Sequence, residues 1–228
     1  MSSAKPRPDA PEAVKPAGPG RPKDLGKRAA ILDVAKRLFT RNGFDGVSMD
    51  QIAAEAGVSK LTVYSHFGDK ESLFSAAVRE KCEEQMPSTL FLSGLEGDLR
   101  EQLTAIARAF LALITSEEAI AMHRMMMMPG TGDALVRELF WEAGPRRVKD
   151  GLGEFLRARV VRGELQVPDI ERAASQFLCL LKGEMHMQLV CGMCCKPVVG
   201  EVDAHIAATV DLFLRAHAPT DTGAGQTA

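Results

Sequence analysis

The sequence predicts an all-α protein, in which an N-terminal three-helix domain with a helix-turn-helix precedes a larger C-terminal helical domain. Residues 48–67, SMDQIAAEAGVSKLTVYSHF, contain two short helical patterns separated by a glycine, which is typical of a helix-turn-helix. Longer segments on both sides repeat apolar residues every three or four positions, the period of a helix with one buried face. Because 46% of the 228 residues are hydrophobic, the chain can bury a substantial core.

The segment before the first helix, residues 1–23, is predicted to be a disordered arm, because it is rich in proline and has no apolar period. Two interpretations remain open for it. It is an inert tail, or it is a basic arm that uses the GRPK sequence at residues 20–23. An extended basic arm can place an arginine in the narrow minor groove of DNA, and Arg21 would make that contact.

The first helix is predicted over residues 25–42, where an apolar stripe is ended by Gly43. Ser48 is expected to cap the next helix, because its hydroxyl can accept a hydrogen bond from a free amide of the first turn. Gly57 can adopt the left-handed conformation of a short turn, and Ser59 can cap the second helix of the pair. The small core expected around these helices contains Phe39, Phe44, Ile52, Val63, Phe67, Leu73 and Phe74.

The outward face of that second helix carries one cation, hydroxyl groups and two ring side chains. These belong to Lys60, Thr62, Tyr64 and His66, and the next acidic residue along the chain is Asp69. Such a face suits contacts with phosphates and base edges. A surface helix can carry the same residue types by chance, so a helical adaptor that binds protein instead of DNA remains an alternative.

A helix long enough to leave the N-terminal domain is predicted next. Asp69 is a suitable N-cap for it, and Pro87 ends it. A connection is expected at residues 88–96. Apolar periodicity then predicts helices over residues 99–114 and 119–128.

The end of the chain is predicted to form three further helical segments. The pattern over residues 133–162 is interrupted at Gly144-Pro145, so a kink or break is expected there. The last two helices, over residues 169–190 and 199–216, have wide apolar faces that a monomer would leave exposed, which predicts a homodimer. The expected interface residues are Phe177, Leu181, Val202, Ile206, Val210 and Phe213.

The methionine run after His123 has two interpretations. Methionine is flexible and polarizable, so it fills irregular cores, but it also lines pockets that accept varied apolar ligands. Under the second interpretation, a pocket for a small-molecule effector contains Phe110, Met122, Met125, Met126, Phe140 and Trp141.

The charge distribution and the absence of a long apolar run set the broad class of the protein. The net charge of −2 divides into +4 for residues 1–81 and −6 for residues 82–228, so the helix-turn-helix lies in the cationic part. A positive excess favours phosphate binding, since DNA affinity depends largely on counterion release. No apolar run suggests a signal peptide or a membrane span, and a cytoplasmic location with no membrane partner is expected.

Three of the five cysteines, Cys191, Cys194 and Cys195, are close together near His186. Reduced structural thiols are the favoured interpretation, while a redox-sensing or metal-sensing cluster remains an alternative. His186 is turned roughly 140° from Cys191 on a helix, so four zinc ligands do not converge, and no metal site is predicted. The sequence also lacks a Gly-rich phosphate loop, HExxH and a nucleophile elbow, so we expect neither an enzyme nor a cofactor.

Residues 25–74, LGKRAAILDVAKRLFTRNGFDGVSMDQIAAEAGVSKLTVYSHFGDKESLF, resemble the N-terminal domain of the TetR/AcrR family of bacterial transcriptional regulators. The resemblance implies that the second helix of the pair enters the major groove. The residues at its DNA-facing positions are Lys60, Leu61, Thr62, Tyr64 and Ser65, and Ser48, His66 and Lys70 are expected to contact phosphate. Leu61 departs from the small residue that the family commonly has there.

The segment from residue 139 to residue 183, with FWEAGPRRV, GEL, AASQF and LLKG, resembles AefR-like C-terminal domains, which implies a dimerising regulatory domain. The expected protein is a homodimeric repressor that binds a palindromic operator in double-stranded DNA and is released by a small, apolar effector. A transcriptional activator, or a regulator that senses thiol oxidation or metal, is the alternative. The expected divisions are a disordered arm at 1–23, a DNA-binding domain at 24–70, a linking helix at 71–87, a regulatory and dimerisation domain at 88–217 and a disordered tail at 218–228.

Overall fold

The computed structural model describes residues 24–92, 97–127, 134–193 and 198–219. Within these ranges the secondary structure is helical and contains no strand, which confirms the predicted all-α class. The helices are α1 (Leu25–Asn42), α2 (Met49–Glu55), α3 (Lys60–Phe67), α4 (Lys70–Gln85), α5 (Thr89–Leu92), α6 (Leu99–Ile114), α7 (Glu117–Met127), α8 (Ala134–Ala143), α9 (Pro145–Val161), α10 (Ile170–Cys191) and α11 (Val199–Ala216). None of these helices is long and apolar enough to cross a membrane.

The predicted capping residues begin the helices as expected. Ser48 Oγ accepts a hydrogen bond from the Gln51 amide at 3.1 Å. Ser59 Oγ accepts one from the Thr62 amide at 3.1 Å. Asp69 caps α4 in the same way, with 2.7 Å between its Oδ1 and the Ser72 amide nitrogen. Each bond satisfies an amide that the helix itself leaves without a partner, which explains why these boundaries can be predicted from local sequence.

The expected interruption at Gly144-Pro145 is a complete break between α8 and α9. The elements differ from the prediction in two places. The expected connection at residues 88–96 includes the short helix α5. The second difference is a break inside α10 at Gly183, which has φ 50° and ψ −157°. This backbone region is open almost only to glycine. The Leu181 carbonyl next to the break lies 3.1 Å from His205 Nε2 of α11.

The helices pack around two cores. The N-terminal core is formed by the four helices α1, α2, α3 and α4 and contains all seven residues that the sequence predicted for the small core. It also includes Val136 and Ala143 from α8. The C-terminal core is formed mainly by α6, α9, α10 and α11. Since α8 packs against α4, the contact between the two parts of the chain is broader than a single linking helix.

The residues predicted for the dimer interface lie mostly inside the C-terminal core, which corrects that assignment. Phe177, Leu181, Ile206, Val210 and Phe213 are buried within the single chain, and Val202 packs partly buried against the same core. A side chain without exposed area in one chain has no surface left to give a partner. The outward faces of α10 and α11 instead expose Leu180, Met187 and Leu212.

Candidate DNA-binding surface and ligand cavity

The helix-turn-helix is built by a glycine turn and a small buried contact between α2 and α3. Gly57 has φ 64°, and the Val58 amide that follows donates to the Ala53 carbonyl at 3.0 Å. Ile52 of α2 and Val63 of α3 are completely buried. Because this contact and the buried Phe67 hold one side of α3, the opposite side is turned toward solvent.

Four of the predicted DNA-facing residues are exposed along that side of α3: Lys60, Leu61, Tyr64 and Ser65. Leu61 has 78% of its area exposed and Tyr64 has 41%, although both side chains are large and apolar or aromatic. Thr62 is half-buried, and its Oγ1 lies 2.8 Å from Ser59 Oγ. The structure therefore brings the predicted group together on one surface, with Thr62 tied to the helix cap.

Lys60 forms an ion pair with Asp50, which the sequence did not predict. Its Nζ donates to Asp50 Oδ2 at 2.9 Å, and this hydrogen bond raises the pKa of the lysine. Asp50 belongs to α2, ten positions earlier in the chain, so inspection of the α3 face alone does not find it. The predicted DNA-reading cation consequently has an acidic partner in the free protein.

Two of the three residues predicted to contact phosphate also have roles inside the chain. Ser48 Oγ accepts the cap hydrogen bond described above, so its O–H is still available as a donor. Lys70 Nζ donates to the Phe44 and Val47 carbonyls at 2.9 and 3.1 Å and lies 4.1 Å from the Phe44 ring centroid. His66 is half-buried. The phosphate contacts stay predictions, and Arg21 lies outside the described residues.

A cavity of 690 Å³ lies between α1, α4, α6 and α7, with further lining from the end of α8, the start of α9 and α10. Its volume is within the range of small-molecule sites. Phe110, Met122 and Phe140 line it, as predicted for the effector pocket. Phe39 and Phe74, which the sequence placed only in the N-terminal core, line it as well. The cavity thus has one wall made by the helices that support the helix-turn-helix.

The other three predicted pocket residues point elsewhere. Trp141 is 52% exposed, because α8 turns Val136 and Ala143 toward the N-terminal core and Trp141 toward solvent. Met126 packs on the N-terminal core. The Met125 sulfur lies against Gly43 at the end of α1. Met126 therefore acts as the core filler of the alternative interpretation.

A polar cluster lies at the side of the cavity formed by α7 and α10. His123 and Lys182 line the cavity, and the ring centroids of His123 and His186 are 5.0 Å apart. Burial lowers the pKa of His123, and burial together with the charges of His123 and Lys182 lowers the pKa of His186 to about 4. His186 is therefore neutral near pH 7. Sequence reasoning treated His123 as an isolated histidine, since its partners come from a distant helix.

The cysteines offer little support for a sensor among the described residues. Cys191 is exposed, while Cys194 and Cys195 lie outside the described ranges. The described part of the chain contains no group of three side chains arranged to hold a metal ion. Cys82 lines the cavity, and burial raises the pKa of its thiol to about 11, so it remains protonated at neutral pH.

Two family models match the chain in the regions that form these sites. Residues 31–77 match bacterial regulatory proteins of the tetR family, and residues 101–219 match the AefR-like transcriptional repressor C-terminal domain. The chain belongs to the TetR family. Its fold is that of a family of transcriptional regulators rather than of enzymes, which confirms the resemblance found in the sequence.

Individual TetR-family relatives resemble this chain over different lengths. The HTH-type transcriptional repressor Rv1474c of Mycobacterium tuberculosis is 35% identical over 79 residues, which cover 35% of this chain and 42% of that protein. The uncharacterized HTH-type transcriptional regulator YdeS of Bacillus subtilis is 30% identical over 151 residues, which cover 64% of this chain and 71% of that protein. The structure of the flavonoid-responsive regulator FrrA is similar with a TM-score of 0.70 and 31% identity, covering 86% of this chain and all of that one. This chain spans less than half of the length of the mycobacterial repressor.

Proposed function

We propose that this TetR-family protein is a transcriptional repressor that binds a palindromic operator as a homodimer and releases it when a small, largely apolar effector fills the cavity. The observation that carries the proposal is the position of the cavity. One of its walls contains Phe39 of α1 and Phe74 of α4, and both side chains also belong to the core that holds α3.

The DNA contacts are assigned to the exposed side of α3. Lys60, Tyr64 and Ser65 offer a cation and hydroxyl groups, which can bind phosphate oxygens and base edges. Leu61 offers an exposed apolar side chain that can contact a thymine methyl group. Ser48 is assigned a contact with a phosphate beside the helix, because its hydroxyl is exposed and accepts the cap hydrogen bond, so that its O–H can donate.

The homodimer is assigned to the outward faces of α10 and α11. Leu180, Met187 and Leu212 are large apolar side chains exposed on these helices. Pairing them with a second copy would remove apolar area from water. A twofold dimer also suits a palindromic operator, because it places two recognition helices about one DNA turn apart.

Release is assigned to a shift between two arrangements of the domains. A ligand that fits better when the walls of the cavity move apart would favour the arrangement in which α1 and α4 are displaced, and α3 moves with them. The similarity to a flavonoid-responsive regulator supports a response to a small organic molecule. An apolar molecule suits the phenylalanine-rich lining.

The experiment that tests DNA binding uses Lys60→Ala combined with Tyr64→Ala. We expect this variant to remain a folded dimer and to lose at least about tenfold in affinity for a DNA site selected from random sequence by the wild-type protein, since each base or phosphate contact contributes roughly 1–3 kcal/mol. Electrophoretic mobility shift measures the affinity. Lys149→Ala with Trp141→Ala removes a lysine and an aromatic side chain from α9 and α8, outside the helix-turn-helix, and is expected to bind normally. Unchanged affinity in the α3 variant contradicts the proposed function.

A further inference from the structure

We propose that the effector is an aromatic anion, with its ring system among the cavity phenylalanines and its acidic group at Lys182 and His123. This inference rests on the proposed function, because it specifies the chemistry of the ligand in the same cavity. It goes further by assigning a charge to the ligand and a contact to α10.

The aromatic part of the proposal follows from the lining of the cavity. Four phenylalanines from four helices form its lining: Phe39 of α1, Phe74 of α4, Phe110 of α6 and Phe140 of α8. Phe140 is half-buried and offers open ring surface, while the other three rings lie within the wall with at most 4% of their area exposed. Aromatic rings gain additional stabilisation from offset or edge-to-face contact with other rings. His123 already makes such a contact with Phe140, at 5.6 Å between centroids and 88° between planes. A planar aromatic ligand can extend this packing.

The charge of the ligand follows from a comparison of the cations around the cavity. Lys36 is paired with Glu84 and with Asp33, the latter at 3.0 Å. Lys81 pairs with Glu118 at 3.5 Å. Arg37 pairs with Glu55 at 2.7 Å, and Arg41 is exposed near the same glutamate.

Lys182 differs from these cations, because it is half-buried and no carboxylate among the described residues lies within ion-pair distance of it. A partly desolvated ammonium without a counter-ion favours a bound anion.

The two histidines make the same side of the cavity more suitable for an acidic oxygen. His123 Nδ1 lies 2.7 Å from the Ala119 carbonyl and must donate to it, which leaves Nε2 for another partner. Behind it, His186 is only 8% exposed, and its Nε2 has no hydrogen-bond partner in the described part of the chain. Neither histidine neutralises Lys182, since burial lowers the pKa of both rings and the positive charge of Lys182 adds to that lowering. A ligand oxygen would supply the missing negative charge.

The position of Lys182 also connects the acidic group to the interface helices. Lys182 directly precedes Gly183, where α10 breaks, and the Leu181 carbonyl on its other side contacts His205 of α11. An anion bound to Lys182 therefore acts on α10 at the point where its direction changes. The aromatic end of the same ligand would contact α1 and α4, so one molecule would contact both parts of the chain.

Two fluorescent probes with the same ring system test the charge preference. One is 8-anilinonaphthalene-1-sulfonate, an anion, and the other is N-phenyl-1-naphthylamine, its neutral counterpart. With the full-length dimer we expect one site per chain for both probes and a dissociation constant about tenfold lower for the anion, which corresponds to ~1.4 kcal/mol. In Lys182→Met the preference should fall to about twofold or less, with binding of the neutral probe unchanged.

The matched control is Lys81→Met, which removes a cavity cation that already has an acidic partner. This variant should keep the preference for the anion. The proposal is overturned if Lys182→Met retains the preference, if Lys81→Met loses it equally, or if neither probe binds at one site per chain. A mobility shift assay on the same samples separates the failure of this inference from the failure of the proposed function. If the anion preference depends on Lys182 but saturating probe leaves the DNA affinity unchanged, the ligand chemistry is supported. The same result contradicts effector-driven release of DNA.

Discussion

At the scale of single residues, the ion pair between Lys60 and Asp50 competes with the proposed contact between Lys60 and DNA phosphate. In the free protein the Lys60 ammonium binds Asp50, and both side chains are more than half exposed. An exposed pair of this kind contributes about 0–1 kcal/mol to stability, so it has little effect on folding. Its larger consequence concerns the proposed DNA contact, because a phosphate would have to draw Lys60 away from Asp50 and approach the Asp50 carboxylate.

Asp50→Asn is predicted to strengthen DNA binding. Removing the charge frees Lys60 and removes repulsion between a carboxylate and phosphate, and we expect a gain of about two- to fivefold in affinity at low salt, or about 0.5–1 kcal/mol. Fluorescence anisotropy with labelled operator DNA measures the change. In a Lys60→Met background the gain should shrink if the ion pair is responsible. Weaker binding by Asp50→Asn would instead mean that Asp50 positions Lys60 for its contact.

At the scale of elements, α10 is the helix whose form departs most from the sequence pattern. A helical apolar stripe runs through the segment without interruption, yet the backbone breaks at Gly183. The break lets the first half of α10 pack in the C-terminal core, while the second half places His186 against His123 of α7. Both the cavity and the polar cluster depend on this change of direction.

Gly183→Ala is predicted to destabilise the protein by about 1–3 kcal/mol, because alanine is strained at this positive φ. The added Cβ would also lie 3.4 Å from the His205 ring. The loss should appear as a lower urea midpoint in circular dichroism. Gly200→Ala in α11 is the control, since its Cβ would meet no atom within 4 Å and a helical alanine should stabilise by about 0.5–1 kcal/mol. Equal effects of the two substitutions would rule out strain at Gly183.

For the whole molecule, the packing of α11 shows which of its faces is available to a partner. Phe213 stacks edge-on against Phe177 inside the chain, at 4.9 Å between ring centroids. Exposed ion pairs also link α11 to α6, including Arg108 with Asp203 at 3.1 Å. The face with Leu212 remains outside these contacts, with 47% of that side chain exposed. Association would therefore use the face that the core does not.

Leu212→Glu combined with Leu180→Glu is predicted to give a folded monomer with much weaker operator binding. Burying two carboxylates in the interface is unfavourable, and a monomer contacts only one half-site. Sedimentation velocity measures the change in mass. Val161→Glu, at a side chain that is 83% exposed on α9, is the control and should remain dimeric. A dimer that persists in the double variant would place the interface elsewhere.

The sequence alone determined the features of this protein that depend on neighbouring residues in the chain. The caps at Ser48, Ser59 and Asp69 act within one helical turn, so the helix boundaries and the exposed face of α3 followed from local patterns. The family resemblance, which covers the helix-turn-helix and part of the C-terminal region, was confirmed for the same reason: its motifs are contiguous.

Only the tertiary structure decided which surface each apolar stripe covers. Periodicity shows that a helix buries one face, but the same pattern is produced by burial in its own core and by burial against a partner. For this reason Phe213 and Val210 were assigned to an interface and lie in the core, and Trp141 was assigned to a pocket and lies in solvent. The pairing of Lys60 with Asp50, and of His123 with His186, joins residues from different helices, whose relative positions are set by packing.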